Sequence, residues 1–171
     1  MGRSYLLMVK FTLISLVACS ALVLGSTLTK VVSGANKEGP DRIALLAHHR
    51  KDRQAHFERN PELMTHDQPA EGFISVRQGQ ILRVSKTDAV RSAQTSFAGA
   101  SYEKWDDLEE PIISISHDGS MAWMIVRVLV ERTITDPDGA KKAEHFVYAG
   151  ITTYEKRNGQ WLKVVNASTF E

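Results

Sequence analysis

Proton chemistry near neutral pH needs a histidine, or a carboxylate shielded from water, and few residues in this 171-residue sequence qualify. His56 lies beside Phe57 in a helical pattern, where it can face an interior as a general base or as a hydrogen-bonding group for a ligand. The competing reading is a half-buried structural histidine. His66-Asp67 comes after a proline-initiated turn and could sit at the mouth of a cavity, with the acid orienting the imidazole; a polar loop is the alternative. His48 and His49 are neighbours and point in different directions. They lack the i, i+4 spacing of a helical zinc pair and are expected in solvent. Trp105-Asp106-Asp107 places an aromatic beside two acids, a pattern that suits a pocket rim or a divalent ion; adjacent aspartates without further ligands read instead as a solvated loop. Tyr148, Asn166 and Ser168 carry polar atoms on predicted strands, and a single β-bulge would reverse the face to which each belongs. Asn166-Ala167-Ser168 also matches a glycosylation sequon.

Several chemistries are absent at the level of motif. The chain has no phosphate-binding glycine loop, nucleophile elbow, paired His-Glu zinc motif or basic-aromatic patch for nucleic acid. No metal site and no cofactor is expected, and whether the protein is an enzyme stays open. The lone cysteine, Cys19, falls in the N-terminal apolar segment, so the rest of the chain offers neither a disulfide nor a thiolate. Residues 1–35 contain Arg3, Lys10 and Lys30 and no acid, which leaves 18 basic against 20 acidic residues, a formal net of −2. No nucleic-acid partner is implied.

Residues 1–35 read as a secretory signal segment. Arg3 and Lys10 precede the apolar run Phe11 to Gly25, and Ser33 and Ala35 offer a peptidase site before Asn36. The expected location is therefore periplasmic or extracellular. Leu16-Val17-Ala18-Cys19 also has the form of a lipobox, which would make the protein a lipoprotein anchored at Cys19. An uncleaved anchor is a third option, and only through this segment would the chain meet a membrane.

The candidate residues must be positioned by a single domain over 41–171, joined to the signal segment by the linker 36–40. Asp41 is expected to cap a helix carrying Ile43, Leu46, Ala47, Arg50 and Phe57 on its apolar face, ending near Asn60-Pro61. Phe73 to Arg77 and Ile81 to Ser85 flank Gln78-Gly79-Gln80 as a hairpin. Ser85 and Asp88 form a capping box for a helix with Ala89, Val90, Ala93 and Phe97 on one face and Gly99 at its end. Four strands come next, Ile112 to Ser116, Met121 to Thr135, Glu144 to Lys156 and Trp161 to Thr169, with Asp-Gly and Asn-Gly turns that favour a sequential antiparallel meander. In the longest, Ala122, Met124, Val126, Val128 and Val130 should meet the helices. Trp123, Ile125, Arg127, Leu129 and Glu131 form the opposite, amphipathic face, suited to a homodimer contact; Arg127 and Glu131 are expected to pair across strands or at that contact.

This order of elements, closing on Tyr154-Glu155-Lys156-Arg157-Asn158-Gly159-Gln160-Trp161 and Val164-Val165-Asn166-Ala167-Ser168-Thr169, resembles the superfamily of nuclear transport factor 2, ketosteroid isomerase and SnoaL-like polyketide cyclases over residues 41–171. The resemblance implies an α+β cone, with N-terminal helices packed on a strongly curved antiparallel sheet that leaves an apolar pocket, and dimers that pack through the sheet. It implies an exported domain that binds a small, mostly apolar molecule, with His56, Trp105, Tyr148, Asn166 and Ser168 as pocket residues. The alternatives are a cofactor-independent lyase, isomerase or cyclase using His56 or Asp67, and an association module using Trp123, Ile125, Arg127 and Leu129. Steroid isomerisation is disfavoured, because Phe73 to Arg77 holds no carboxylate and the first helix no tyrosine.

Overall fold

The computed structural model describes residues 39–171; residues 1–35, expected to be a signal segment with a possible lipobox at Cys19, and 36–38 of the expected linker lie outside the described residues. Helix α1 spans Pro40–Glu58, with proline at its first turn, where a missing N–H costs nothing. Asp41 is not its cap. Gly39 holds the N-cap position without a side-chain bond, while the Asp41 carboxylate accepts from Lys156 Nζ at 2.7 Å and Trp161 Nε1 at 3.1 Å. A carboxylate reached by an ammonium and an indole N–H is more useful to the fold than a local cap, since it ties the helix start to the last hairpin.

The buried face of α1 also differs from expectation. Ile43 is 54% exposed and Phe57 is 42% exposed, while Arg42, Leu45, His49, Ala55 and His56 are buried. The inward face of this helix is therefore largely polar. Helix α2 (Pro61–Met64) is one turn, capped by Asn60 Oδ1 accepting from Leu63 N at 3.0 Å.

Strands β1 (Phe73–Arg77) and β2 (Gln80–Val84) form the expected hairpin through Gln78-Gly79, both at positive φ, the conformation a two-residue turn requires. Helix α3 (Lys86–Phe97) starts at the Ser85 cap, where Ser85 Oγ accepts from Asp88 N at 3.1 Å, and buries Ala89, Ala93 and Phe97.

Residues 100–107, where the pair of aspartates suggests a solvated loop, are strand β3 (Ala100–Asp107). β3 and β4 (Ile112–Ile115) lie end to end along the same edge of β5 (Met121–Thr135), which continues into β6 (Lys141–Arg157) and β7 (Gln160–Phe170). The sheet order is β2-β1-β7-β6-β5-β3 with β4 beside β5. β1 runs parallel to β7, so the sheet is mixed rather than purely antiparallel, and it does not close. The helices pack on its inner face, and the core at one end joins Leu45, Ile113, Ala122, Met124, Tyr154 and Trp161.

Two bulges decide which side chains face inward. Between Thr153 and Tyr154 the β6–β7 register shifts, so that Lys163 pairs with Tyr154 but Val165 pairs with Thr153. Lys163 therefore shares the inner face with Asn166 and Ser168, which simple alternation would place on the opposite face. A second shift between Tyr102 and Lys104 brings Tyr102 and Trp105 to the inner face together.

Candidate functional site

Sheet and helices enclose a cavity of about 430 Å³. Much of its wall is apolar, with Phe73, Val84, Phe97, Val126, Val128 and Phe146 among the lining residues; Asp52, Ser75, Lys163 and Asn166 give it a polar side, and Arg77 and Arg132 also line it. His56, Trp105, Tyr148, Asn166 and Ser168 all line it. Asp67 does not; it is buried behind the lining, beside Lys163.

His56 is 6% exposed, stacked on Trp105 with ring centroids 3.5 Å apart and met edge-on by Phe97 and Tyr102. Its Nδ1–H donates to the Asp52 carbonyl at 2.6 Å, which leaves Nε2 as an acceptor. Burial pushes its pKa down to about 4, so the ring is neutral at pH 7. His49 is also buried rather than solvated: its Nε2 lies 2.7 Å from Asp107 Oδ1, while Arg53 donates to Asp106 Oδ1 at 2.8 Å. The two aspartates are thus strand residues tied to α1, not members of a solvated loop.

The polar side rests on three charged groups that no motif in the sequence connects. Lys163 Nζ lies 3.4 Å from Asp67 Oδ1 and 3.8 Å from Asp52 Oδ2. Asp67 has no side-chain exposure, and neither of its carboxylate oxygens has a hydrogen-bond partner. A quarter of the Asp52 side chain is accessible, yet its Oδ1 is fully covered and unpartnered. Burial acts to strip the Lys163 proton, but the two carboxylates outweigh it and the ammonium is held. One ammonium cannot compensate two carboxylates in a dry site; burial accordingly raises the Asp52 pKa. The Tyr154 hydroxyl beside this group is buried without a partner, and burial raises its pKa, as it does that of Tyr148.

One signal of this site was present in the sequence. Positions 45, 49, 52 and 56 recur at helical spacing, which places Asp52 on the same stripe as His49 and His56. Lys163 gave no signal, because its inward direction depends on the β7 bulge.

On the outer sheet face, Trp123 and Ile125 are each 37% exposed, Arg127 is exposed and Leu129 is half-buried. Ile112, Ile125 and Ile151 stand side by side in register across three strands. Glu131 is engaged by Lys104 and His145, both at 3.6 Å, rather than by Arg127. No helix among the described residues is long and apolar enough to cross a membrane.

Helices laid on an unclosed, bulged seven-stranded sheet around one cavity define the α+β cone of the nuclear transport factor 2-like and ketosteroid isomerase-like proteins. Comparison with solved structures shows that this chain has that fold. A ketosteroid isomerase-like protein from Erwinia carotovora atroseptica matches with a TM-score of 0.59 at 10% identity, over 78% of this chain and 98% of that one. A nuclear transport factor 2-like protein from Cytophaga hutchinsonii matches with a TM-score of 0.56 at 12% identity, over 75% and 96%. An uncharacterised protein with a cystatin-like fold from Caulobacter vibrioides matches with a TM-score of 0.59 at 16% identity, over 78% and 91%. No protein-family model and no curated protein matches the sequence.

Proposed function

We propose that the domain is an exported binding protein for a small, mostly apolar molecule bearing one polar group. The observation that carries this reading is the composition of the cavity. Aromatic and aliphatic side chains surround a cavity of about 430 Å³, within the range of roughly 300–1,000 Å³ used for small ligands, and a smaller set of polar groups, Asp52, Ser75, Lys163 and Asn166 among them, shares the lining. The apolar body of a ligand gains from leaving water, while Lys163, Ser75 and Asn166 supply directional contacts to its polar end. Native mass spectrometry of the protein purified from its own host tests this. A stoichiometric small-molecule adduct is expected; a cavity that remains empty, and a melting temperature unmoved by a panel of apolar carboxylates, alcohols and ketones, would refute it. Cell fractionation tests export: recovery of the whole protein in the cytosol would overturn that part.

A second reading, proton-transfer catalysis, is favoured by Asp52. Lys163 neutralises one of two carboxylates, and Asp52, raised by burial, serves as a carboxylic acid able to donate to a ligand oxygen. Neutral His56 would accept a proton at Nε2. In this reading Asp67 sets the proton affinity of Asp52 through the shared lysine and does not touch substrate. Asp52→Asn should then abolish turnover while leaving ligand affinity within a few-fold. Self-association through Ile112, Trp123, Ile125 and Ile151 is compatible with either reading, because that face lies opposite the cavity.

A further inference from the structure

Outside the cavity lining, His48, His66 and Asp67 each offer one ligand-type atom, and those atoms all lie within 4.8 Å of one another. His48 comes from the middle of α1, His66 and Asp67 from the turn after α2, so the fold brings together groups 18 residues apart. His48 Nδ1 and His66 Nε2 face each other at 2.7 Å. Two ring nitrogens at that distance share one proton, and a metal ion is the other species that two such lone pairs can hold.

Three independent features point to an ion. First, His66 Nδ1–H donates to the Leu63 carbonyl at 2.6 Å, which fixes the tautomer that leaves Nε2 as the ligand atom; metal-bound histidines commonly carry this outer hydrogen bond. Second, the Asp67 carboxylate is fully buried with both oxygens lacking hydrogen bonds, a placement that is expensive unless a cation completes it. Lys163 at 3.4 Å supplies charge to one oxygen but is not aligned for a hydrogen bond to it. Third, the site is braced. Lys163 N donates to the Asp67 carbonyl at 2.8 Å, and the His48 ring stacks on both His66 and Tyr154.

We propose that His48 Nδ1, His66 Nε2 and the Asp67 carboxylate form a site for a first-row divalent metal ion of the zinc class, with its remaining coordination position open to water. Two imidazoles and a carboxylate suit zinc, at bond lengths of about 2.0–2.2 Å. Tetrahedral coordination sets the two nitrogens about 3.3 Å apart. From 2.7 Å this needs a displacement of a few tenths of an ångström per ring, and both rings are half-buried and reachable from solvent. The ammonium of Lys163 weakens the site by repulsion, and its second contact with Asp52 draws part of that charge away. The ion would thereby loosen the Asp67–Lys163 contact and bias Lys163 toward Asp52 and the cavity.

The test uses the tag-free full chain, stripped with a chelator and dialysed against zinc alone at micromolar concentration. One equivalent per chain is expected, with affinity lowered at least tenfold in His48→Gln and in His66→Gln and unchanged in His117→Gln and His145→Gln. Cobalt(II) added to the wild-type protein should give the intense visible absorption of a four- or five-coordinate site, a readout that does not depend on any variant folding. Failure of the wild type to retain zinc, a cobalt spectrum no different from the aquo ion, or full affinity in both His48→Gln and His66→Gln would each overturn the proposal.

Discussion

Replacing Lys163 with methionine tests the electrostatic account of the cavity floor, because an unbranched, slightly shorter side chain fills the site without the ammonium. In the native protein the ammonium lies 3.4 Å from Asp67 and 3.8 Å from Asp52. Without it, Asp67 has no exposed surface and no hydrogen-bond donor with which to remain ionised. The folded variant must therefore leave that carboxylate buried without a countercharge. Removing one partner of a buried ion pair typically costs roughly 3–5 kcal/mol, and a loss of about that size is expected at pH 7. Urea denaturation of the two proteins measures the difference directly. The Lys163→Met/Asp67→Asn double variant should recover most of the loss at pH 7, because the lone charge has gone. A cost below about 1 kcal/mol at pH 7, or a double variant no more stable than Lys163→Met alone, would refute the claim that Lys163 compensates a buried carboxylate.

Burial lowers the pKa of His48 and of His56 from 6.5 to about 4. Between those values each of these histidines binds more protons in the unfolded chain than in the folded one, so their contribution to stability should fall as pH drops from about 6.5 and be fully lost below about 4. The upper limit is roughly 3 kcal/mol per histidine, and His56→Phe should flatten about half of the slope in acid-unfolding curves. Gly99 stands at φ +71°, and a Cβ there would lie 2.3 Å from the Thr135 carbonyl oxygen. Gly99→Ala is accordingly expected to lower stability by about 2 kcal/mol or more in urea melts, far above the few tenths typical of an exposed site. If the outer face mediates self-association, Ile125→Lys should shift sedimentation from dimer to monomer while leaving the melting temperature of the monomer within a few degrees. A wild-type protein that is monomeric at all concentrations would remove the basis for that expectation.

How much of the fold is legible in the sequence depends on how local each cause is. The Gln78-Gly79 turn and the Ser85–Asp88 cap are decided by residues two or three positions apart, and both stand where the residue types put them. The cone fold is legible from the order of such elements. The phase of helix α1 is not, because its inward stripe carries Arg42, His49 and His56, so the apolar residues Ile43 and Phe57 mark the exposed face instead. Strand β3 is hidden because Tyr102-Glu103-Lys104-Trp105 does not alternate. The bulge that breaks its pattern is also what turns Tyr102 and Trp105 toward the cavity together. Adjacency correctly separates His48 from His49, yet it has no bearing on His48 and His66, which meet only through the packing of α2 on α1.

The satisfied and the unsatisfied buried polar groups of the domain have different duties. At the start of α1, Asp41 accepts from both Lys156 and Trp161 and ties the helix to the last hairpin. By contrast, Asp52 Oδ1, Gln68 Oε1, both oxygens of Asp67 and the Tyr154 hydroxyl are buried without partners. Buried charges of this kind contribute less to stability than apolar residues of the same size, so stability alone does not account for their placement. Their position does: each lies on or immediately behind the cavity wall, where a ligand's polar group, a proton or a metal ion can supply the missing partner. The bulge on β7 has the same character. It interrupts an antiparallel ladder, and in return it turns Lys163 inward, where a single cation reaches both acids.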